Sequence, residues 1–261
     1  MSTPPVFVIH INFLPDVLMF EPRRIWTALG TAEDNGRIGR GTRAQVEQRL
    51  GQTAIYLATR DCILRTAIEE LKTALEVLGD LIPDQWIVAD KYRVVNTPEA
   101  SQARDRGLLA VDSFLFELRA YLELLATYVY GVLCGAGRAP DAVQGLSSGE
   151  TVSITDKRDN LRTHEFLRYL CDRVSLPEDW YRFLAKQRNF FTHEAAPYIA
   201  VEDRGVRPPE YDFLIMLVNI HDFDAAGASD YFRLSDCVSV VQGVRQLAGK
   251  VQELLVNVLE A

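Results

Sequence analysis

Hydrophobic residues recur along much of the chain at spacings of three and four, which is the period of an amphipathic helix. The run T-R-A-Q from Thr42 has the form of a capping box and predicts the start of a long helix that lasts until a connector beginning at Asp80. Its stripe consists of Leu50, Ala54, Leu57, Asp61, Leu64, Ile68, Leu71, Leu75 and Leu78. Because an aspartate on such a seam needs a partner, Asp61 either reaches water at the edge of the core or has a functional role.

A second long helix is predicted from Thr97–Pro98 to a stop at Gly135, since proline suits the first turn and glycine the C-terminal end. Its second half is apolar almost all round, which predicts the central helix of the fold. Arg119, Glu123 and Thr127 lie four residues apart and form its one polar line. Three interpretations of these residues are open: they form an internal ion pair, they form a solvated strip, or they belong to a functional site.

Short β-rich segments interrupt this helical pattern. The segment V-F-V-I-H-I-N-F at 6–13 predicts one strand, and the polar, glycine-rich stretch at 31–41 predicts a loop. The loop contains G-R-I-G-R-G, which matches neither a dinucleotide-binding nor a Walker pattern, so a plain loop is favoured over a phosphate cradle. Two segments separated by G-V-R-P-P, Y-I-A-V-E-D at 198–203 and Y-D-F-L-I-M-L-V-N-I at 211–220, predict a hairpin, with D-Y-F-R-L as a third segment.

The remaining pattern completes a helical bundle. Two shorter helices are predicted within 161–197, and Ser235 is expected to cap the last helix. The stripe of that last helix consists of Val241, Val244, Ala248, Val251, Leu255 and Val258. We therefore expect an all-α bundle with a small β-hairpin insertion before the last helix. Residues 1–96 would form an N-terminal strand and long-helix extension, packed into the same core or separate from it, and 97–261 the bundle itself.

Composition narrows the function. The chain has 28 Lys and Arg against 36 Asp and Glu, a net charge of −8, so any contact with RNA must be local. Its four cysteines form no C-x-x-C pair, which predicts neither a zinc site nor a disulfide framework. The start lacks the basic region of a secretory signal, and the most apolar helix contains charged residues. We expect a cytoplasmic protein that does not contact a membrane.

One segment has residues suited to catalysis. In K-Q-R-N-F-F-T-H-E-A-A-P, at 186–197, Arg188 is followed directly by Asn189 and, after four intervening residues, by His193. On a helix Asn189 and His193 share a face, and the long side chain of Arg188 can reach the same point. The alternative is a cluster at a helix C-terminus that binds carbonyl groups and pairs with Glu194 or Glu123.

This segment resembles the R-N-x-x-x-H signature, a form of R-x4-6-H, of the HEPN superfamily. The resemblance extends over roughly 97–261 and implies a helical bundle, no cofactor or metal, and a homodimer that brings two motifs together. It further implies an RNA endonuclease of toxin or defence type, in which Arg188, Asn189 and His193 are catalytic and Arg119 and Glu123 support them. RNA, a nucleotide, an antitoxin or another protein would then be the partner, and some relatives bind without cleaving.

The spacing alone is not unique. With 23 Arg and 4 His, about one R-x4-6-H match arises by chance in a chain of this composition. A second match runs from Arg158 to His164, with an aspartate after the arginine. We favour Arg188 because it lies late in an aromatic-rich helix that should enter the core, whereas Arg158 lies at the frayed start of a shorter helix.

Overall fold

The computed structural model describes residues 20–80, 97–138, 198–203, 211–216 and 231–261. These residues form helices α1 Pro22–Asp34, α2 Thr42–Asp80, α3 Pro98–Gly135 and α4 Leu234–Glu260, and strands β1 Tyr198–Asp203, β2 Tyr211–Met216 and β3 Tyr231–Arg233. The prediction of a mostly helical fold is confirmed for this part of the chain. The strand predicted at 6–13 and the short helices predicted within 161–197 lie outside the described residues.

Helix α1 was not predicted. It begins with Pro22 at its first position and buries Ile25, Ala28, Leu29 and Ala32, which is the helical spacing of three and four. The side-chain oxygen of Gln252, in α4, accepts the N–H of Glu21 just before the first turn, at 2.5 Å. Since α1 continues to Asp34, the loop expected from residue 31 begins only at residue 35.

Helix α2 begins and ends where the sequence predicts. Its apolar stripe is buried at every described side chain except the half-buried Asp61. The cap is different from the predicted one, because the carboxylate of Glu33 accepts the N–H groups of Gly41 at 2.7 Å and of Arg43 at 3.0 Å. A residue of the preceding helix thus satisfies the first turn instead of the Thr42 capping box.

Helix α3 has the predicted bounds. Thr97 Oγ1 accepts the N–H of Ala100 at 3.2 Å, which caps its first turn. After the last helical residue, Gly137 has φ 67°, and the N–H of Arg138 donates to the carbonyl of Leu133 at 2.8 Å. This left-handed residue closes the C-terminus in the usual way. The second half of α3 is buried on nearly all sides, as expected for a central helix.

The predicted hairpin is also confirmed. Strands β1 and β2 pair antiparallel, with Ala200 opposite Leu214, and β3 adds antiparallel to β2, with Ile215 opposite Phe232. Helix α4 follows β3 directly and begins at Leu234, so the predicted cap at Ser235 is wrong. The carboxylate of Asp236 instead accepts the N–H of Arg233 at 2.7 Å.

Two compact units divide the described residues. The α1 unit comprises 20–63, 118–138 and 242–261. Within it α2 and α3 pack closely, because Gly131 and Gly135, one turn apart on α3, leave room for the side chains of Leu50 and Val46. The sheet unit comprises 64–80, 97–117, the three strands and the start of α4 to residue 241.

Candidate functional site

The predicted catalytic residues cannot be placed in this architecture. Arg188, Asn189 and His193 lie outside the described residues, and so do Arg158 and His164 of the alternative motif. Their roles remain predictions from the sequence. Within the described residues, the α1 unit contains buried polar groups on α3 and charged groups around the start of α2.

Arg119 and Glu123, the predicted supporting residues, bind each other on α3. Arg119 Nε donates to Glu123 Oε1 at 2.9 Å, and Arg119 is only 8% exposed. The hydroxyl of Thr127 donates to the backbone carbonyl of Glu123 at 2.8 Å, so it satisfies the helix itself. The polar line therefore contains an internal ion pair, one of the three alternatives that the sequence leaves open.

Two tyrosine hydroxyls of α3 have no hydrogen-bond partner. Among the described residues, Tyr121 and Tyr128 alone have buried side-chain polar atoms without one. Burial raises the pKa of both phenols far above the ordinary value, and the charge of Asp61 raises the pKa of Tyr121 further. Both hydroxyls therefore stay protonated at neutral pH. Asp61 belongs to the electrostatic environment of a buried phenol, which the sequence did not predict.

An open cleft of about 520 Å³ lies between α1 and α2. Trp26, Ala54, Ile55 and Ala58 contribute apolar surface to it, and Arg23 and Glu47 are its charged residues; Pro22 and Gly51 complete the lining. The ring of Trp26 packs edge-on against Tyr128, with 5.5 Å between ring centroids. Glu47 already accepts a hydrogen bond from Arg43 Nε at 2.8 Å, so its carboxylate is paired with a cation of the same helix.

The glycine-rich loop between α1 and α2 is not organised as a phosphate cradle. Gly36 and Gly41 have φ of 69° and 81°, which only glycine adopts readily. Two N–H groups at the start of α2, those of Gly41 and Arg43, donate to the carboxylate of Glu33, and these hydrogen bonds, first from Gly41 and then from Arg43, lower the pKa of that carboxyl. The structure agrees with the plain loop favoured from the sequence.

No group of three or more His, Cys, Asp and Glu residues suited to a metal ion occurs in the part of the chain that the structure describes. The described cysteines, Cys62, Cys134 and Cys237, form no disulfide with one another. None of the described helices combines the length and apolar character needed to cross a bilayer.

Charge is distributed unequally between the two units. The described residues of the α1 unit include 11 Lys and Arg and 8 Asp and Glu, whereas those of the sheet unit include 5 and 12. The acidic excess of the chain is therefore concentrated in the sheet unit within the described ranges. An anionic partner such as RNA is repelled less by the α1 unit.

Comparison with known proteins adds no family assignment: no family model, no curated protein and no solved structure matches this chain.

Proposed function

We propose that this protein is a metal-independent RNA endonuclease of HEPN type, a cytoplasmic toxin or defence effector that acts as a homodimer. The observation that carries the proposal is the R-N-F-F-T-H segment, in which Arg188, Asn189 and His193 have the spacing of the HEPN signature. The mostly helical architecture of the described residues is compatible with it.

The three side chains would divide the chemistry between them. His193 would take the proton of a ribose 2′-hydroxyl, whose oxygen then attacks the adjacent phosphorus. The bond from phosphorus to the 5′-oxygen breaks, and the departing oxygen takes up a proton, which leaves a 2′,3′-cyclic phosphate and a 5′-hydroxyl. Arg188 would stabilise the charge of the pentacoordinate phosphate through charge-assisted hydrogen bonds, and Asn189 would orient the reacting groups.

Arg119 and Glu123 have a positioning role at most in this proposal. Their side chains are engaged with each other and are largely buried, so neither presents a free charged group to a substrate. Replacing them should change stability more than the rate constant of the chemical step.

The proposal is tested by RNA cleavage in EDTA with purified protein. Wild-type protein should cleave, while His193→Ala and Arg188→Ala should lose activity and keep the wild-type circular dichroism spectrum. The chain offers a matched control in its second motif, because Arg158→Ala and His164→Ala should remain active. Loss of activity in these controls, with retention in the first pair, would transfer the catalytic role to Arg158 and His164.

A second candidate is a non-catalytic HEPN module that binds a nucleotide or a protein partner such as an antitoxin. The net charge of −8 favours it, because a surface rich in carboxylates repels the RNA backbone. This function predicts ligand-dependent thermal stabilisation without turnover. A rise in melting temperature with a mononucleotide, lost in Arg188→Ala, together with inert RNA would replace the nuclease proposal.

A further inference from the structure

Exposed arginines are concentrated in the loop between α1 and α2. Residues 35–43 contain three arginines and no acidic residue, although the whole chain has a net charge of −8. All three, Arg37, Arg40 and Arg43, are exposed. Arg43 pairs with Glu47, whereas no hydrogen bond or ion pair within the described residues engages the guanidinium groups of Arg37 and Arg40. These two cations are therefore available to an anionic partner.

The two helices lead from this loop to the cleft at Trp26. A Cβ added at Gly30 would lie 3.0 Å from Arg43 Nη1, so the guanidinium of Arg43 packs on α1 one turn beyond Trp26. Trp26 and Arg23 then line the cleft itself. Trp26 lies eight residues before the end of α1 at Asp34, or about 12 Å along the helix. The cleft and the loop arginines are thus close enough to bind one short, extended ligand.

The indole ring of Trp26 is suited to stack on a flat ring. Trp26 is half-buried and lines an open space of about 520 Å³, beside the small residues Gly51, Ala54 and Ala58. Its ring packs edge-on against Tyr128, with 5.5 Å between ring centroids, and Tyr128 is fully buried. The core therefore holds the indole in one orientation before a ligand arrives. Aromatic rings held in this way stack on nucleobases of any type, because every base has a π face.

We propose that these residues bind a single-stranded polynucleotide. The surface, here called the Arg–Trp track, consists of Arg23, Trp26, Arg37 and Arg40. Phosphates would contact the three arginines, whose planar guanidinium groups match phosphate oxygens, and a base would stack on Trp26. The contacts come from side chains, in agreement with a loop whose backbone forms no phosphate cradle. A duplex, whose bases are already paired and stacked, presents no free base to Trp26.

Two carboxylates near the track are engaged within the protein. Glu33 accepts the N–H groups of Gly41 and Arg43, and Glu47, in the cleft, accepts Arg43 Nε at 2.8 Å. Asp34 is exposed, and the two loop arginines outnumber it. An acidic peptide would meet the same cations, but it supplies no base for the cleft. The combination of arginines with an aromatic cleft therefore favours a polynucleotide.

The track goes beyond the proposed function, because the HEPN resemblance extends over roughly 97–261 and the track lies before residue 97. Binding is measured with strands whose 2′-hydroxyls are absent or methylated, so the proposed cleavage cannot take place. An inactive protein that binds these strands through the track would refute only the nuclease. An active protein whose binding does not depend on the track would refute only the track.

Fluorescence anisotropy with labelled strands of about 12 nucleotides, in EDTA at low salt, tests the arginines. Arg37→Ala with Arg40→Ala should raise the dissociation constant about tenfold or more. It should also reduce the slope of log affinity against log salt by about 1.4, since each phosphate contact on a single strand contributes about 0.7.

Arg49→Ala with Arg106→Ala is the matched control, because it removes the same charge at two exposed positions. At 100° per residue Arg49 lies on the side of α2 opposite the cleft, and Arg106 belongs to the sheet unit. This control should change the dissociation constant less than about twofold. An equal loss in both double variants would reveal an effect of net charge alone and overturn the track.

Substitutions of Trp26 test the stacking. Trp26→Leu keeps apolar volume in the cleft but has no π face, so it should raise the dissociation constant about fivefold or more, while Trp26→Phe should bind nearly as wild type does. Both variants should retain the wild-type circular dichroism spectrum. Equal binding by Trp26→Leu and wild type, or equal affinity for a duplex of the same length, would overturn the stacking contact on which the proposal depends.

The choice of strands separates the possible partners. Binding of either the deoxy or the 2′-O-methyl strand supports the track, and the tighter of the two shows which sugar it prefers. No binding at about 10⁻⁴ M protein, the weak end of non-specific affinity, would overturn the proposal. Polyglutamate that competes as strongly as an unlabelled strand would also overturn it, because the occupant would then be an acidic peptide.

Discussion

Replacing Gly131 with alanine should destabilise the protein, even though alanine is the better helix former. A Cβ added at Gly131 would lie 2.7 Å from Leu50 Cδ2 and 2.9 Å from Leu50 Cδ1. Leu50 is 5% exposed, so its side chain cannot move into water to make room. The substitution therefore forces α3 away from α2 or drives Leu50 into an unfavourable rotamer.

The size of the effect follows from two opposing contributions. Overpacking a core costs about 1–3 kcal/mol, and replacing glycine with alanine inside a helix contributes about 0.5–1 kcal/mol in the other direction. Together the two contributions give a net loss of about 0–2.5 kcal/mol in the free energy of unfolding, and we expect a value in the middle of that range, about 1–2 kcal/mol. For a chain of this size the melting temperature should fall by about 2–8 °C.

Gly249 provides the matched control, because it lies within α4 and nothing lies within 4 Å of an added Cβ. Gly249→Ala should stabilise the protein by about 0.5–1 kcal/mol. Urea and thermal unfolding followed by circular dichroism would measure both variants. If Gly131→Ala stabilised the protein as much as Gly249→Ala, the close packing of α2 against α3 would be refuted.

Three further predictions concern polar groups of the α1 unit. Glu33→Gln should destabilise the protein at neutral pH, because it weakens the cap of α2. Since the pKa of Glu33 is lowered in the folded state, the difference in unfolding free energy between variant and wild type, measured by urea titration, should shrink as the pH falls through that pKa. A difference that stays constant with pH would contradict this role. Glu123→Gln should lower the free energy of unfolding by about 1–3 kcal/mol, because the charge of Arg119 loses its carboxylate partner. Adding Arg119→Met should recover part of that loss, and a double-mutant cycle measures the recovery. Strict additivity of the two substitutions would argue against coupling. Tyr121→Phe should leave the melting temperature unchanged or raise it, since it removes a buried hydroxyl without a partner, and a clear decrease would reveal a bond to that hydroxyl.

The periodicity of hydrophobic residues over long segments predicted the secondary structure reliably. The stripe from Leu50 to Leu75 determined the course of α2, because about seven turns of consistent spacing leave little choice of period or buried face. The hairpin of β1 and β2 was equally predictable from the sequence, since two apolar segments flank a turn-forming segment. The shorter α1 has the same kind of signal at Ile25, Ala28, Leu29 and Ala32, and a window confined to these 13 residues would have revealed it.

Local sequence motifs did not predict the helix caps or the sites, because both depend on tertiary contacts. The Thr42 capping box was plausible, but Glu33 reaches the same N–H groups from the preceding helix and forms charge-assisted hydrogen bonds, which are the stronger ones. The cleft at Trp26 likewise requires two helices to be placed side by side. The sequence did not decide between the alternative roles of Arg119 and Glu123. The burial of Arg119 and its contact with Glu123 were needed to identify an internal ion pair.

Cleavage of a defined RNA in EDTA, beside the same strand with 2′-deoxyribose throughout, tests the proposed nuclease most directly. The wild-type protein should convert only the RNA, giving fragments with 2′,3′-cyclic phosphate ends, and His193→Ala should cleave it about 10² to 10⁴ times more slowly. An inert wild-type protein, equal cleavage of the deoxy strand, or full activity in His193→Ala would contradict the assignment of His193 as the base that activates a 2′-hydroxyl.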